Sequence, residues 1–491
     1  MKMNEVTPSE QSNRTAFAPM NGRERLQAAL EHRQPDRVCV DFGATFVTGM
    51  NVSIVHRLRQ RVMGQGDYRV KVNEPYQMLG EVDDQFRSAL GIDVIGVLPR
   101  KSIFGTEQKD WKPFTMPDGT PCLVPGTFNV TPAPDGGWLM YPEGDTSVAP
   151  SGHMPAGGYF FDSIIRQEAF DEEKLDPADN LEEFGLLSAE DLAYFSEQKR
   201  WLEQRKEFGA VLIIPGSALG DIALVPAPFL KHPKGIRDIT EWYISTKTRR
   251  DYVWNVFEKQ CEYALQNLST LIDLFGAWVQ VALITGTDFG TQRGLFISVP
   301  AYRDLYKPFH KQINDLIHRR TKWKTFIHSC GSVYQLLPDF IEAGFDILNP
   351  VQCSAAEMDP VRLKREFGKD LVFWGGGVDT QKTMAFGTPQ QIYDEARERI
   401  GIFNQDGGMV FNAIHNIQGN VPIENVEAMF KAIKDSPLIK GHRTPYQSKR
   451  PTGHQDPDLR GETERPPLQT ARCSEHFPAS SNSPPRLTGP C

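Results

Sequence analysis

Long apolar runs are missing from this 491-residue chain. None approaches the roughly 18 to 20 residues that a membrane-spanning helix needs, and the first twenty residues are polar, with Glu5 and Glu10 and no hydrophobic signal core. The expectation is a cytoplasmic protein with no membrane partner. Basic residues are not in excess either: 54 Lys and Arg stand against 62 Asp and Glu, for a formal charge of −8. That balance lacks the electrostatic footprint of a nucleic-acid binder, so no nucleic-acid partner is expected. Cysteine is scarce, and its seven copies (Cys39, Cys122, Cys261, Cys330, Cys353, Cys473 and Cys491) are odd in number, widely spaced and without a C-x-x-C pair. This is the pattern of reduced thiols, not of a disulfide framework.

What is present suits a large core, with 40% hydrophobic and 24% charged residues. The two ends differ from the middle. Residues 1–20 lack periodicity, and 441–491 is crowded with Pro, Ser, Arg and Gly, so both are expected to be disordered around one unit over 21–440. That unit opens at Asn21, which can cap a helix with Glu24 completing a capping box. Eight short apolar runs follow: 38–42, 93–97, 211–215, 279–285, 325–329, 345–350, 371–375 and 409–414. Helical patterns lie between them, over 251–275, 302–320, 332–344 and 388–403, the last with Thr388 as cap, Pro389 at the first helical position and Gln391 closing a box. Buried strands alternating with helices mean a parallel sheet covered on its faces, and eight such units favour an α/β fold of the (β/α)8 TIM-barrel type over a doubly wound sheet. Residues 100–200, rich in Gly, Pro and aromatics, break the rhythm. They read as a long insertion after the second strand, built of hairpins and placed as a lid over the barrel mouth.

The residues that could carry chemistry gather at the carboxyl ends of these runs, where a barrel assembles its active site. His328-Ser329-Cys330-Gly331 closes the fifth run, and residues two apart on a strand point to the same side. An imidazole and a thiolate converging on one point suit zinc, which in a catalytic site takes a third protein ligand and keeps an open position. Two residues could supply that ligand: Cys353, after the neighbouring sixth run, or His415, after the eighth. Spacing does not choose between them. Asp288, Asn349, Asp379 and Asn416 add polarity at the same ends, and Asp288 and Asp379 could equally cap the helices that follow.

At these residues the sequence resembles the uroporphyrinogen decarboxylase superfamily, and within it the zinc- and cobalamin-dependent methyltransferases. The resembling segments are RERLQAALEHRQPDRVCVDFG, TDFGTQRGLFISVPAYRDLYKPFHKQI, FIHSCGSVYQLLPDFIEAGFDILNPVQ and GNVPIENVEAMFKA, together spanning about residues 21–435. The resemblance implies the (β/α)8 barrel. It also implies a third ligand: those methyltransferases have a late cysteine just before a stretch like Asn420-Val-Pro-Ile-Glu-Asn425, and His415 matches its position. Imidazole in place of thiolate leaves the site one negative charge poorer, and so a stronger Lewis acid. The family pattern further places Gln292 near the site. The arginine-rich segment with which true uroporphyrinogen decarboxylases hold their many carboxylates has no counterpart in Gln34-Pro-Asp-Arg-Val38 or DFGATFVTGMNVS.

The resemblance therefore implies a methyltransferase. Zinc on His328, Cys330 and His415, with Asp288, Asp379 and Gln292 as catalytic or orienting groups, would help move a methyl group between a small-molecule donor or acceptor and a corrinoid or thiol. No corrinoid-binding D-x-H-x-x-G segment is present; the nearest, residues 151–158, lacks the aspartate two residues before His153. Cobalamin would then arrive on a partner corrinoid protein. A metal-independent, tetrapyrrole-related decarboxylase is the alternative activity, and a ligand-binding barrel without catalysis is the third.

Overall fold

The computed structural model describes residues 19–436. Eight strands build its centre: β1 (Cys39–Val40), β2 (Val94–Val97), β3 (Gly209–Ile213), β4 (Val281–Thr285), β5 (Lys324–His328), β6 (Ile347–Asn349), β7 (Val372–Trp374) and β8 (Met409–Phe411). Each falls on one of the eight apolar runs. They form one parallel sheet in the order β1-β8-β7-β6-β5-β4-β3-β2. The ring is completed between β1 and β2 by Asp93: its N–H donates to Val40 O at 2.8 Å, and Val40 N donates to Asp93 Oδ2 at 2.9 Å. Arg25 and Arg37 pair with the same carboxylate at 2.9 and 2.7 Å, so the seam of this TIM-like barrel is an ion cluster in place of a ladder.

The strands alternate strictly between two environments. Val211, Ile213, Val281, Leu283, Phe326, Ile347, Val372 and Val410 fill the barrel interior, with Phe326 edge-on to Trp374 at 5.3 Å. Their chain neighbours Leu212, Ala282, Ile284, Ile327, Leu348, Phe373 and Phe411 belong to the outer core under the helices. Burial on both faces is why these strands read as continuous apolar runs. One step further along, the inward positions turn polar: His328 follows Phe326, Asn349 follows Ile347, Asn412 follows Val410 and Asp41 follows Cys39, each by two residues. The interior thus has apolar lower layers and a polar top layer at the carboxyl ends.

Helix ends follow local chemistry. Asn21 with Glu24, and Thr388 with Gln391, form the expected capping boxes on the helices Gly22–Leu30 and Pro389–Phe403. The pattern over 302–320 does not make one α-helix: it opens with a π-helical turn, Tyr302–Tyr306, before the helix Lys307–Arg320. Pro308 has no N–H to bond the carbonyl four residues back, and Lys307 N bonds instead to Tyr302 O, five residues back. Over 332–344 the helix is also shorter than expected, a 3-10 turn at Tyr334–Leu336 leading into Leu337–Glu342.

The long insertion after β2 carries strands of its own. Val130–Pro132, Trp138–Met140, Gly152–Met154 and Asp162–Ser163 pair antiparallel, as hairpins. A second small sheet joins Lys112–Thr115 and Pro121–Val124 to Val70–Glu74 and Leu79–Gly80, which precede β2. No strand is expected at 70–80 from the sequence; Val70–Glu74 pairs with Leu79–Gly80 close by in the chain and with Pro121–Val124 in the insertion. Asn51 Nδ2 donates to Tyr159 O at 2.9 Å, and the Tyr159 ring lies on Gly419, where a Cβ would come within 2.1 Å of it. The insertion therefore rests on the loop that follows β8. The terminal extensions expected to be disordered fall, apart from residues 19 and 20, outside the described residues. Among the described residues, no helix is long and apolar enough to cross a membrane.

Candidate functional site

Strand β5 ends at His328, and the chain carries Cys330 to the same side before turning away at Gly331. Gly331 has φ +84° and lies so close to Gly290 that a Cβ would sit 2.4 Å from that residue's carbonyl carbon, so no side chain fits the turn. Asp288, after β4, accepts the Cys330 N–H at 2.6 Å, and Gln352 Oε1 accepts that of Gly331 at 2.7 Å. Ser329 Oγ accepts from Phe289 N at 2.9 Å. The Cys330 backbone is thereby held from both neighbouring strand ends.

His415, after β8, comes in from across the mouth. Its ring centre is 5.4 Å from that of His328, and the two imidazoles and the Cys330 thiol each offer a ligand atom within 4.8 Å of the others. Cys330 Sγ lies 3.5 Å from His328 Nε2. Tetrahedral zinc with ordinary Zn–S and Zn–N bonds would separate such atoms by about 3.6 Å, so the donor set and the His328–Cys330 spacing fit that ion. The three residues are at most 5% exposed. Burial pushes His328 down to about 4, against the hydrogen bond that it donates to its neighbour Asn349, and it pushes His415 down to about 3, with the nearby His328 adding to the fall. Both rings are neutral at pH 7, the state in which imidazole binds a metal.

Asn349 lies beside His328 in register, and its Oδ1 is 2.6 Å from His328 Nδ1. Its Nδ2 donates to Trp374 O at 2.8 Å, and Trp374 Nε1 in turn donates to Asp41 Oδ2 at 3.0 Å. A hydrogen-bonded line therefore runs from the candidate ligand across β6 and β7 to the end of β1. Burial lifts the Asp41 carboxyl to about 6, although Thr48, Ala44 N and Trp374 all donate to it.

The other candidates stand apart. Cys353 does not join the ligand group; its thiol donates to Val351 O at 3.4 Å, and burial holds it protonated. Asp379 accepts from the N–H groups of Gln381 and Lys382 at 2.8 and 3.0 Å, as a turn-capping residue does. Gln292 donates to Gln381 Oε1 at 3.3 Å, joining the loops after β4 and β7. Trp374, Asp41 and Asn412 escaped the sequence reading, although the period-two count that pairs His328 with Cys330 would have found them. Asp221, after β3, escaped it too: it is buried beside Gly286 and lifted to about 6 by that burial. The Gly-rich loop around it was the available signal.

The uroporphyrinogen decarboxylase (URO-D) family model matches residues 233–436, which include every one of the candidate ligands. A curated relative, the methylated-thiol–coenzyme M methyltransferase of Methanosarcina mazei, is 24% identical over 255 residues, an alignment that covers 49% of this chain and 63% of the relative. The chain thus spans less than two thirds of that relative's length. Among solved structures, a methyltransferase from Methanosarcina mazei aligns over 84% of this chain and 98% of its own at 13% identity, with a TM-score of 0.48. The match to the uroporphyrinogen decarboxylase (URO-D) family model over residues 233–436, with a curated methyltransferase among the relatives, agrees with the resemblance read from the motifs.

Proposed function

We propose that this protein, acting as one barrel unit over residues 21–440, is a methyltransferase with zinc held by His328, Cys330 and His415 at its mouth. The methyl group would pass between a small substrate and a corrinoid carried by a partner protein, or a thiol acceptor. The observation that carries the reading is the convergence of two imidazoles and a thiol within 4.8 Å in a buried polar layer. A fold needs no such cluster for stability, and a relative 24% identical over 255 residues is named for methyl transfer from a thiol.

Zinc, when bound, supplies Lewis acidity, which draws charge from the heteroatom that gives up or accepts the methyl group. The chain's own residues do the rest. One thiolate and two imidazoles leave the site electron-poor, which favours a methyl ether, methylamine or methylthiol as donor over the prolonged holding of an activated thiolate. Asp288 fixes the Cys330 backbone, and its carboxylate is the acid-base candidate nearest the ligands by hydrogen bonding. Asp379 and Gln292 would order the loops of the rim. The insertion, seated on Gly419 through Tyr159, would help to keep water from the mouth.

Metal analysis is the test. The purified protein should hold about one equivalent of zinc, and His328→Ala should hold less than a tenth. Zinc below a tenth of an equivalent in the unaltered protein would overturn the metal. A corrinoid absorbance assay with each donor class then reads the transfer. The alternative carboxy-lyase activity draws on the buried Asp221; it would survive chelation and loss of Cys330, and fail in Asp221→Asn.

A further inference from the structure

The partner that His328 shows to the barrel interior is an uncharged amide, and its orientation is not free. Asn349 Nδ2 faces Trp374 O at 2.8 Å, and a carbonyl only accepts, so the amide nitrogen must be the atom on that side. The amide oxygen is then the atom 2.6 Å from His328 Nδ1. That oxygen accepts and cannot donate, so the neutral imidazole must carry its proton on Nδ1. Its Nε2 is left with a lone pair, and Nε2 is the nitrogen 3.5 Å from Cys330 Sγ. A free neutral histidine side chain prefers the opposite tautomer, with the proton on Nε2, which would block the face turned to Cys330 and His415.

We propose that Asn349 is a positioning residue that reverses this preference, holding His328 as the Nδ1–H tautomer so that its Nε2 lone pair faces the metal position before any metal arrives. Only the metal half of this inference rests on the zinc reading; the tautomer does not. Three features set Asn349 apart from an ordinary buried amide. It is fully buried and lies beside His328 in the β5–β6 register, so no water competes for the imidazole N–H. Its anchor is fixed in turn: Trp374 is fully buried and donates its indole N–H to Asp41. And an amide orients the ring without adding negative charge, whereas a carboxylate in the same place would also raise the basicity of the ligand. Asn349 therefore keeps the centre electron-poor, as the exchange of a late cysteine for His415 also does.

The test begins with the metal-free full-length protein labelled with 15N in its imidazoles. At pH 7.5 the His328 resonances, assigned by their loss in His328→Gln, should show Nδ1 protonated and Nε2 bare. Asn349→Leu should move the proton largely to Nε2 and weaken zinc or Co(II) binding by about 10- to 100-fold in chelator competition. Asn349→Asp should restore the Nδ1–H tautomer and strengthen binding, a reversal that a merely structural role would not produce. A bare Nδ1 in the unaltered metal-free protein overturns the inference, and that measurement depends on no variant folding. An unchanged tautomer in a folded Asn349→Leu overturns it too. If the tautomer switches as expected and the unaltered protein takes no zinc, the metal reading fails and the positioning role stands. If zinc binds and the tautomer ignores Asn349, the reverse holds.

Discussion

The lower and upper layers of the barrel interior are made by the same strands, two residues apart, and they do opposite things. Phe326, Ile347, Val372 and Val410 meet one another as close-packed hydrocarbon, while His328, Asn349 and Asn412 stand one layer higher as hydrogen-bonding groups almost without solvent. The lower layer gains from burial itself. The upper layer gains nothing from burial unless each polar atom finds a partner, and the buried Asn412 Oδ1 has none among the described residues. The lesson of the contrast is that the barrel places its stability below and its chemistry above, so changes in the two layers should separate.

The largest expected effect on folding tests the lower layer. Phe326→Ala would open a cavity beneath Trp374 and lower stability by about 4 kcal/mol in denaturant unfolding. Zinc content of the folded fraction should stay unchanged. Loss of zinc in proportion to stability would mean that the layers are not separable. Next comes the seam. Asp93→Ala leaves Arg37 without a carboxylate partner and Val40 N without its acceptor, and should lower stability by about 3 kcal/mol. If unfolding is unaffected, the ring does not depend on that ion cluster.

The smallest effect is the pH dependence of the upper layer. The Asp41 carboxyl is lifted to about 6 by burial, above its unfolded value of about 3.9. Its neutral form therefore favours the fold fully below about pH 4, and that contribution is lost as pH rises through about 6. Asp41→Asn cannot ionise, so the fall in stability between pH 4 and pH 7 should shrink by about 2 kcal/mol relative to the unaltered protein. Equal falls in the two proteins would remove Asp41 as the source.

Much of this was legible in the sequence. All eight strands fall on the apolar runs, because a strand buried on both faces must be apolar throughout, and both capping boxes stand where their side chains spelled them. The π-helical turn was less legible, since Pro308 shows that a hydrogen bond is lost but not how the ladder adjusts. The strands at Val70–Glu74 and Leu79–Gly80 were not legible, because they are too short to show a periodic pattern and the further strand that extends their sheet, Pro121–Val124, is distant in the chain.

The candidate site divides in the same way. Alternation along one strand determined that His328 and Cys330 share a side, since that period is a property of the local backbone. The choice between His415 and Cys353 as their companion was beyond it, because each follows a different strand, and which loop reaches the mouth depends on how the ring closes. Only the tertiary structure brought His415 within reach and turned Cys353 towards Val351. Only the register of β5 on β6 set Asn349 against His328: a sequence lists the donors and acceptors, and the packing of strands decides which of them meet.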